Sequence, residues 1–351
     1  MAGAKYPWWY PEALARRRPH LEVRGRVTQA LRAFMAEREM IEVETPALQV
    51  SPGMEPHLLS FATELQGPYP DERRTLHLHT SPEFAMKKLL VAGMPRIWQL
   101  AKVFRNGERS HTHHPEFSML EWYRAGAGTA ELMADCVALV RASATAAGRQ
   151  RFRFRGVDCD PYGDWHTLTV AEAFHTYAGI DLLATAPDPH APDRSLLAVA
   201  AADAGIRVAA DDRWEDIVFR VMFERIEPHL GAGVPTFLTD YPVSMAALSR
   251  QRPDDPRLAE RFELYVCGLE LANAFGELTD AAVQRARFEA DMALQQQLYG
   301  RRTPIDEDFI AALTYGMPES AGIALGFDRL VMLCAGVETI EEVLWAPVTA
   351  P

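Results

Sequence analysis

The spacing of apolar and polar residues predicts helices and strands in mixed order. Apolar residues three, four and seven positions apart predict helices over residues 21–38, 125–148 and 280–299. Alternation with a period of two predicts strands over residues 41–45, 74–80, 96–104 and 115–124. Strand patterning returns from residue 261, and a final strand, turn and helix are predicted over residues 321–335.

Helices segregated from a mainly antiparallel set of strands indicate an α+β fold. Three prolines mark a linker inside a helical insertion at about residues 149–235, namely Pro187, Pro189 and Pro192. We expect residues 1–20 to form an N-terminal extension and residues 21–351 to form one domain that contains this insertion.

Composition excludes several classes of protein. The chain has 351 residues, with 36 Lys and Arg against 48 Asp and Glu, so its net charge is −12. This charge argues against non-specific nucleic-acid binding. No apolar stretch is long enough to span a membrane, and the N-terminus is not that of a secretory signal. The four cysteines form no CxxC pair, which argues against structural zinc and favours the cytoplasm.

Two glutamates lie where a predicted hairpin would bring them together. Cys267 and Gly268 are predicted to form a two-residue turn. Glu263 is then opposite Ala272, and Glu270 is its diagonal neighbour on the same face, roughly 7–8 Å away at Cα. Two carboxylates at this separation suit Mg²⁺ together with phosphate oxygens. The alternative is a solvated pair on the exposed face of the hairpin.

Arg105 ends a predicted strand, and a polar loop follows it. A guanidinium group there suits an anionic ligand, because it binds phosphate or carboxylate in a bidentate manner. The loop residues His111, His113 and His114 could instead suggest zinc. They lack a regularly spaced third ligand or a carboxylate base, so a polar loop beside a phosphate is favoured.

A buried strand is predicted to end at Gly326, where the missing side chain would let a flat ligand approach the backbone. Asp328 is expected to cap the helix that follows, and Arg329 lies in its first turn. A cation at this position opposes the helix dipole. Arg329 therefore either serves a bound anion or is a surface residue on a packed helix.

Two further acidic residues lie beside apolar and aromatic ones. Ser81 is predicted to cap a helix with Pro82 at its first position, and Glu83 follows. Glu277 lies in a Phe-Gly-Glu-Leu segment. Near an anion site these acids would suit a substrate with an ammonium group, although Glu83 could simply stabilise the first helical turn.

In this order, the segments resemble the catalytic domain of class II aminoacyl-tRNA synthetases, and more closely its lysine branch. Residues 43–46 resemble motif 1 at the dimer interface, residues 104–117 motif 2 and residues 322–329 motif 3. The run 263–278 resembles the lysine-family segment between motifs 2 and 3. The resemblance spans about residues 20–347 and implies an antiparallel sheet flanked by helices, in a homodimer.

The resemblance also implies ATP and Mg²⁺ as cofactors and a role for each matching residue. Arg105 and Arg329 would be catalytic, on the α- and γ-phosphates, and Mg²⁺ would be held by Glu263 and Glu270. The other ATP-binding residues would be Asn106, Glu108, His114, Leu264 and Gly326. The substrate-binding residues would be Ser81, Pro82, Glu83, Tyr123, Glu270, Asn273, Glu277 and Ala324.

Several positions depart from the synthetases. Gly107 holds the place of the usual motif 2 acid and Glu108 follows it, while His114 stands where many relatives have Asn. Ala324 stands where synthetases usually have Gly. Only about 20 residues precede the motif 1 helix, too few for an anticodon-binding OB-fold. These features favour the elongation factor P–lysine ligase family, which resembles truncated lysyl-tRNA synthetases.

The implied reaction activates (R)-β-lysine, or lysine, as an aminoacyl-adenylate and transfers it to a lysine side chain of elongation factor P. One alternative is a lysine–tRNA ligase that acts without anticodon recognition. A second is a non-catalytic regulatory paralogue. An inactive site would have no need to keep both arginines, Arg105 and Arg329, and both acids, Glu263 and Glu270. We expect neither a membrane nor tRNA as a partner.

Overall fold

The computed structural model of the chain describes residues 7–69 and 72–349. The α-helices are α1 (Pro11–Glu37), α2 (Glu83–Val91), α3 (Thr129–Ala147), α4 (Val170–Ala178), α5 (Arg194–Asp203), α6 (Trp214–Val221), α7 (Ala281–Tyr299), α8 (Glu307–Gly316) and α9 (Phe327–Ala335). The strands are β1 (Ile41–Glu42), β2 (Leu48–Gln49), β3 (Phe61–Gln66), β4 (Arg73–Leu78), β5 (Arg96–Phe104), β6 (Glu116–Ala125), β7 (Phe152–Phe154), β8 (Val157–Cys159), β9 (His166–Thr169), β10 (Thr236–Pro242), β11 (Leu258–Val266), β12 (Leu269–Gly276) and β13 (Ser320–Gly326).

The largest sheet of the described residues has the strand order β1-β5-β6-β13-β12-β11-β10-β9. Its central pairs are antiparallel, whereas the outer pairs β1–β5 and β9–β10 are parallel. Strands β2, β4 and β3 form a smaller sheet, and β7 and β8 form a hairpin. This is the predicted α+β architecture, with a mainly antiparallel sheet.

The two faces of the large sheet differ because successive side chains of a strand point to opposite sides. Trp122, Leu264 and Ile323 face the main hydrophobic core, which they share with residues of α1, α3 and α9. Tyr123 and Gly322, one position along their strands, lie on the other face and line a cavity. Helices α1, α3 and α9 therefore cover one face, whereas the other face carries the cavity and, beside it, packs against α2, α7 and α8.

A second hydrophobic cluster joins helices α4, α5 and α6 to strands β10 and β11. It includes Phe174 and Ile217 from the helices and Leu238 and Tyr265 from the strands. The chain between α3 and β10 is not uniformly helical, because β7 and β8 form a hairpin and β9 adds to the edge of the large sheet. That residues 149–235 form an inserted unit stays a prediction.

The first helix begins earlier than its apolar pattern predicts. Helix α1 starts at Pro11 and contains Pro19, so it crosses the predicted boundary between extension and domain. Its first ten residues are mostly exposed and have no apolar stripe, which is why periodicity does not reveal them. Arg17 holds this part to the domain by donating from Nη1 to the carbonyl oxygen of Leu344 at 2.7 Å.

Other boundaries also differ from prediction. The strand predicted over residues 41–45 is only the two-residue β1, and β10 precedes the predicted return of strands at residue 261. Strand β4 matches the strand predicted over residues 74–80, whereas helix α8 and strands β2 and β3, which pair with β4, have no counterpart in the prediction. Helix α2 begins at Glu83 with Pro82 as N-cap, although Ser81 still accepts a hydrogen bond from the Glu83 N–H through Oγ at 3.0 Å.

Candidate active site

A cavity of about 380 Å³ opens on the sheet face opposite α1, α3 and α9. Its walls come from β6, β12 and β13, from the loop after β5 and from residues 55–58. The residues predicted for a site that line it are Ser81, Glu83, Arg105, Glu108, His114, Tyr123, Glu270, Asn273, Glu277, Ala324, Gly326 and Arg329.

Four predicted site residues are not among those lining the cavity. Leu264 is fully buried in the main core on the opposite face of the sheet, and Leu271 lines the cavity instead. Asn106 is exposed, and its N–H donates to the Leu59 carbonyl oxygen at 2.7 Å. The other two are Pro82, which caps α2, and Glu263, which lies beside Glu270 and is described below.

Lys87 lies beneath one end of the cavity, with no exposed surface. Its Nζ atom is 2.5 Å from Oε1 of Glu83 and 2.5 Å from Oε2 of Glu277. Burial lowers the pKa of Lys87, but the two carboxylates more than offset this effect, so the ammonium group stays charged. Sequence reasoning missed Lys87, and the available signal was its position four residues after Glu83 in a mostly apolar helix.

Two more groups complete this acidic end. Glu121 is almost fully buried and accepts hydrogen bonds from Ser81 Oγ at 2.5 Å and from the Tyr123 hydroxyl at 3.0 Å. Burial, with repulsion from Glu83, raises the pKa of Glu121 to about 8. Burial likewise raises the pKa of Glu277 to about 7, against the opposing effect of Lys87. Because the pKa values of Glu121 and Glu277 are raised even beside Lys87, a further cationic group at this end would favour their ionised forms.

Arg105 and Arg329 line the same cavity. The guanidinium group of Arg105 lies 5.3 Å from the Phe117 ring centre, and its Nε atom is buried without a hydrogen-bond partner. Arg329 donates from Nη1 to the Glu270 carbonyl oxygen at 2.7 Å, and its Nη2 lies 2.8 Å from His113 Nε2. Burial and the neighbouring Arg329 lower the pKa of His113, which favours the neutral ring that accepts this bond.

Asp328 does not cap α9 as predicted, because the N-cap is Gly326. Its carboxylate instead accepts the Ser118 N–H at 2.7 Å and forms a buried ion pair with Arg24 of α1. Arg24 Nη2 also donates to Ser118 Oγ at 2.9 Å. This network joins α1, β6 and α9 directly beside Arg329, and it fixes the start of the helix to which Arg329 belongs.

The hairpin of β11 and β12 contains a bulge that shifts the predicted register. Glu270 pairs with Tyr265 as predicted, but Glu263 is opposite Asn273 rather than Ala272. The additional residue, Leu271, interrupts the alternation that sequence reasoning assumed. Glu263 and Glu270 nevertheless stay close. Burial and, to a smaller extent, repulsion from Glu263 raise the pKa of Glu270 to about 7.

The glutamate pair fits a hard cation that is shared with a ligand. Glu263 accepts hydrogen bonds from Arg261 Nη2 at 2.6 Å and from the Tyr265 hydroxyl at 2.8 Å. Within residues 7–69 and 72–349, no group of three or more His, Cys, Asp or Glu side chains forms a metal site. A cation on Glu263 and Glu270 therefore needs oxygens from a bound phosphate, as Mg²⁺ commonly does.

The two motif 2 departures have structural counterparts. Gly107 has a positive φ of 80° and does not line the cavity, whereas Glu108 does. His114 is buried, with Nδ1 2.5 Å from the Glu116 carbonyl oxygen, and its Nε2 accepts the Val348 N–H at 3.1 Å. Both ring nitrogens of His114 are therefore engaged with the chain itself.

The sheet and the cavity with its paired arginines and carboxylates are those of a class II synthetase catalytic domain. Residues 13–350 match the model of the class II tRNA synthetase family (D, K and N), and the chain belongs to this family.

Curated relatives match over nearly their whole length. The chain is 40% identical over 340 residues to the elongation factor P–(R)-β-lysine ligase of Vibrio cholerae, covering 97% of both chains. It is 39% identical over 337 residues to the protein of that name from Haemophilus influenzae, covering 96% of both. It is 38% identical over 342 residues to the protein of that name from Proteus mirabilis, covering 97% of both chains.

Among the described residues, the structure contains no helix of the length and apolarity required to cross a membrane.

Proposed function

We propose that this chain is an ATP-dependent ligase that activates (R)-β-lysine as an aminoacyl-adenylate and transfers it to a lysine side chain of elongation factor P. One observation supports this most directly: a single cavity is lined both by Arg105, with its unpartnered Nε, and by the carboxylates around Lys87. Such a cavity fits a substrate with a carboxylate and ammonium groups. The names of the similar ligases supply the identity of the amino acid and of the acceptor.

In the first step the substrate carboxylate oxygen bonds to the α-phosphorus of ATP, and the bond to pyrophosphate breaks. The protein contributes positioning and charge neutralisation. Arg105 binds the α-phosphate and the substrate carboxylate, Arg329 binds the γ-phosphate, and Gly326 allows adenine to approach the backbone. In the second step the acceptor amine attacks the carbonyl carbon, AMP leaves, and the amine proton passes to solvent.

Glu263 and Glu270 would hold Mg²⁺, which neutralises phosphate charge when it is bound. Glu83, Tyr123 and Glu277 bind the amino groups of the substrate, with Ser81, Asn273 and Ala324 beside them. Ala324 is opposite both Glu121 and Asn273 in the sheet, so its methyl group narrows the cavity at the substrate.

We also propose that the protein is a homodimer of the cytoplasm. Ile41 and Val50, around the motif 1 segment, have 51% and 55% of their surface exposed, which a partner would cover. The four cysteines are buried free thiols, as is typical of a reducing compartment.

Pyrophosphate exchange into ATP tests the first step, and mass spectrometry of elongation factor P tests the second. We expect exchange that depends on (R)-β-lysine or lysine, followed by addition of the amino acid to one lysine of the acceptor. Arg105→Ala is the control that should abolish both. Absence of exchange with either amino acid would refute the proposal, and charging of tRNA in place of elongation factor P would favour the lysine–tRNA ligase alternative.

A further inference from the structure

Glu55 lies in the wall of the cavity and belongs to none of the motifs described above. Its Oε2 atom is buried and has no hydrogen-bond partner. The carboxylate lies against Gly53, where the position of an added Cβ would be 2.7 Å from Oε2. A larger residue at position 53 would displace the carboxylate, so the glycine permits its present place.

The segment that contains Glu55 is hydrogen-bonded to helix α7 and to the residues that follow it. Gln295 Nε2 donates to the Glu55 carbonyl oxygen at 3.4 Å, and Arg301 Nη2 donates to the Leu58 carbonyl oxygen at 3.1 Å. Between them, His57 Nδ1 lies 2.7 Å from the Tyr299 hydroxyl. Two hydrogen bonds to the backbone and one side-chain contact fix residues 55–58, so the backbone that carries Glu55 is positioned before any ligand binds.

The charges around Glu55 differ from those around the other acids. Glu83 and Glu277 share the ammonium group of Lys87, whereas Glu55 forms no ion pair with any described residue. Burial raises the pKa of Glu55 and repulsion from Glu83 raises it further, while Arg105 and Lys87 act in the opposite direction. A buried carboxylate without a counter-ion is costly unless a ligand supplies one.

The position of Glu55 indicates which part of the ligand it would contact. Both Glu83 and Arg105 act electrostatically on its carboxylate, so Glu55 is near the acidic end and also near the arginine that would hold the substrate carboxyl. Glu277, by contrast, pairs with Lys87 at the acidic end. An amino group one or two carbons from the substrate carboxyl would therefore meet Glu55, and the distant amino group would meet Glu277.

We propose that Glu55 is a specificity-determining residue, which binds the amino group closest to the substrate carboxyl through its unpartnered Oε2. This inference rests on the proposed function, because it assumes a diamino acid in the cavity. It assigns the two amino groups to different carboxylates: Glu55 for the near one and Glu277 for the far one.

The test compares Glu55→Gln with the unaltered enzyme in amino-acid-dependent pyrophosphate exchange. Loss of a hydrogen bond to a charged group should raise KM for (R)-β-lysine by about 10-fold or more, while KM for ATP stays within about 2-fold. The variant should also discriminate less between (R)-β-lysine and 6-aminohexanoate, which lacks the near amino group. Glu289→Gln is the matched control: this acid is exposed on helix α7 and does not line the cavity, so KM should not change.

An unchanged KM for (R)-β-lysine in Glu55→Gln would overturn the inference. Equal losses for (R)-β-lysine and ATP would also overturn it, because they would indicate a structural role. These results are distinct from failure of the proposed function, in which the unaltered enzyme itself shows no exchange with either lysine isomer.

Discussion

The Nζ atom of Lys87 lies 2.5 Å from Oε2 of Glu277, a residue 190 positions later, and both side chains are almost completely buried. Replacing Lys87 by Met should destabilise the protein by about 3–5 kcal/mol, because two buried carboxylates would lose their shared cation. Urea unfolding measures this loss. Lys102→Met is the control, since Lys102 and its partner Glu116 are both about half exposed, and it should cost much less. Equal losses in the two variants would contradict the buried-pair account.

Arg329→Lys should lower the rate of pyrophosphate exchange by about 100-fold or more, although the charge is kept. Arg329 contacts the Glu270 carbonyl and His113 with different nitrogens of one planar group, and an ammonium group cannot reproduce that geometry. The control is Arg285→Lys at an exposed ion pair with Glu307, which should leave the rate unchanged. Exchange at the normal rate in Arg329→Lys would show that the planar guanidinium group, with its two donating nitrogens, is not required.

Gly322→Ala should impair amino-acid binding more than ATP binding. A Cβ atom at position 322 would overlap the Tyr123 ring and Oε1 of Glu277, and both residues are proposed to bind the amino groups of the substrate. We expect a higher KM for (R)-β-lysine with little change in KM for ATP, measured by pyrophosphate exchange. Gly25→Ala is the control, because an added Cβ atom there would meet no other atom and the backbone φ is not positive, so both KM values should stay unchanged. Unchanged kinetics in Gly322→Ala would mean that the Tyr123 ring moves aside freely.

Asp291→Asn should stabilise the protein at pH 8 but not at pH 4. Burial raises the pKa of Asp291 to about 7, so between about pH 4 and pH 7 the folded protein binds a proton that the unfolded chain has released. Stability therefore falls as pH rises through this window, and a neutral amide removes the fall. We expect a gain of about 1–2 kcal/mol at pH 8, measured by urea unfolding at both pH values.

Asp254→Asn is the control for this pH dependence. Asp254 is exposed, and its hydrogen bond with Arg252 lowers its pKa, so neutralising it should give no gain at pH 8. A gain in Asp291→Asn that is the same at pH 4 and pH 8 would show that ionisation of Asp291 is not its cause.

The sequence predicts the fold class and most of the cavity wall because motif residues lie at strand ends. Arg105, Tyr123, Glu270, Glu277 and Arg329 are separated by up to 224 positions and still line one cavity. Their order along the chain resembles that of a known family, and strand alternation places the members of each strand on the same face.

What could not be predicted depends on contacts between distant segments. Lys87 and Glu55 become recognisable only when Glu277 and α7 are in place beside them. The bulge at Leu271 changes the register without any signal in the alternation, and this is why Glu263 is opposite Asn273. Leu264 faces the core because it is the neighbour of Glu263 on the same strand, and successive side chains point to opposite faces. Asp328 looks like a helix cap until Arg24 is found beside it.

Strand β13 lies between β6 and β12, although it is the last strand to be synthesised. Until residue 326 has left the ribosome, the sheet has two open edges at its centre, and the residues that would bind the nucleotide cannot assemble around it. A nascent or C-terminally truncated chain is therefore exposed to mispairing and chaperone capture at those edges. The nucleotide-binding residues assemble only once this central strand has inserted.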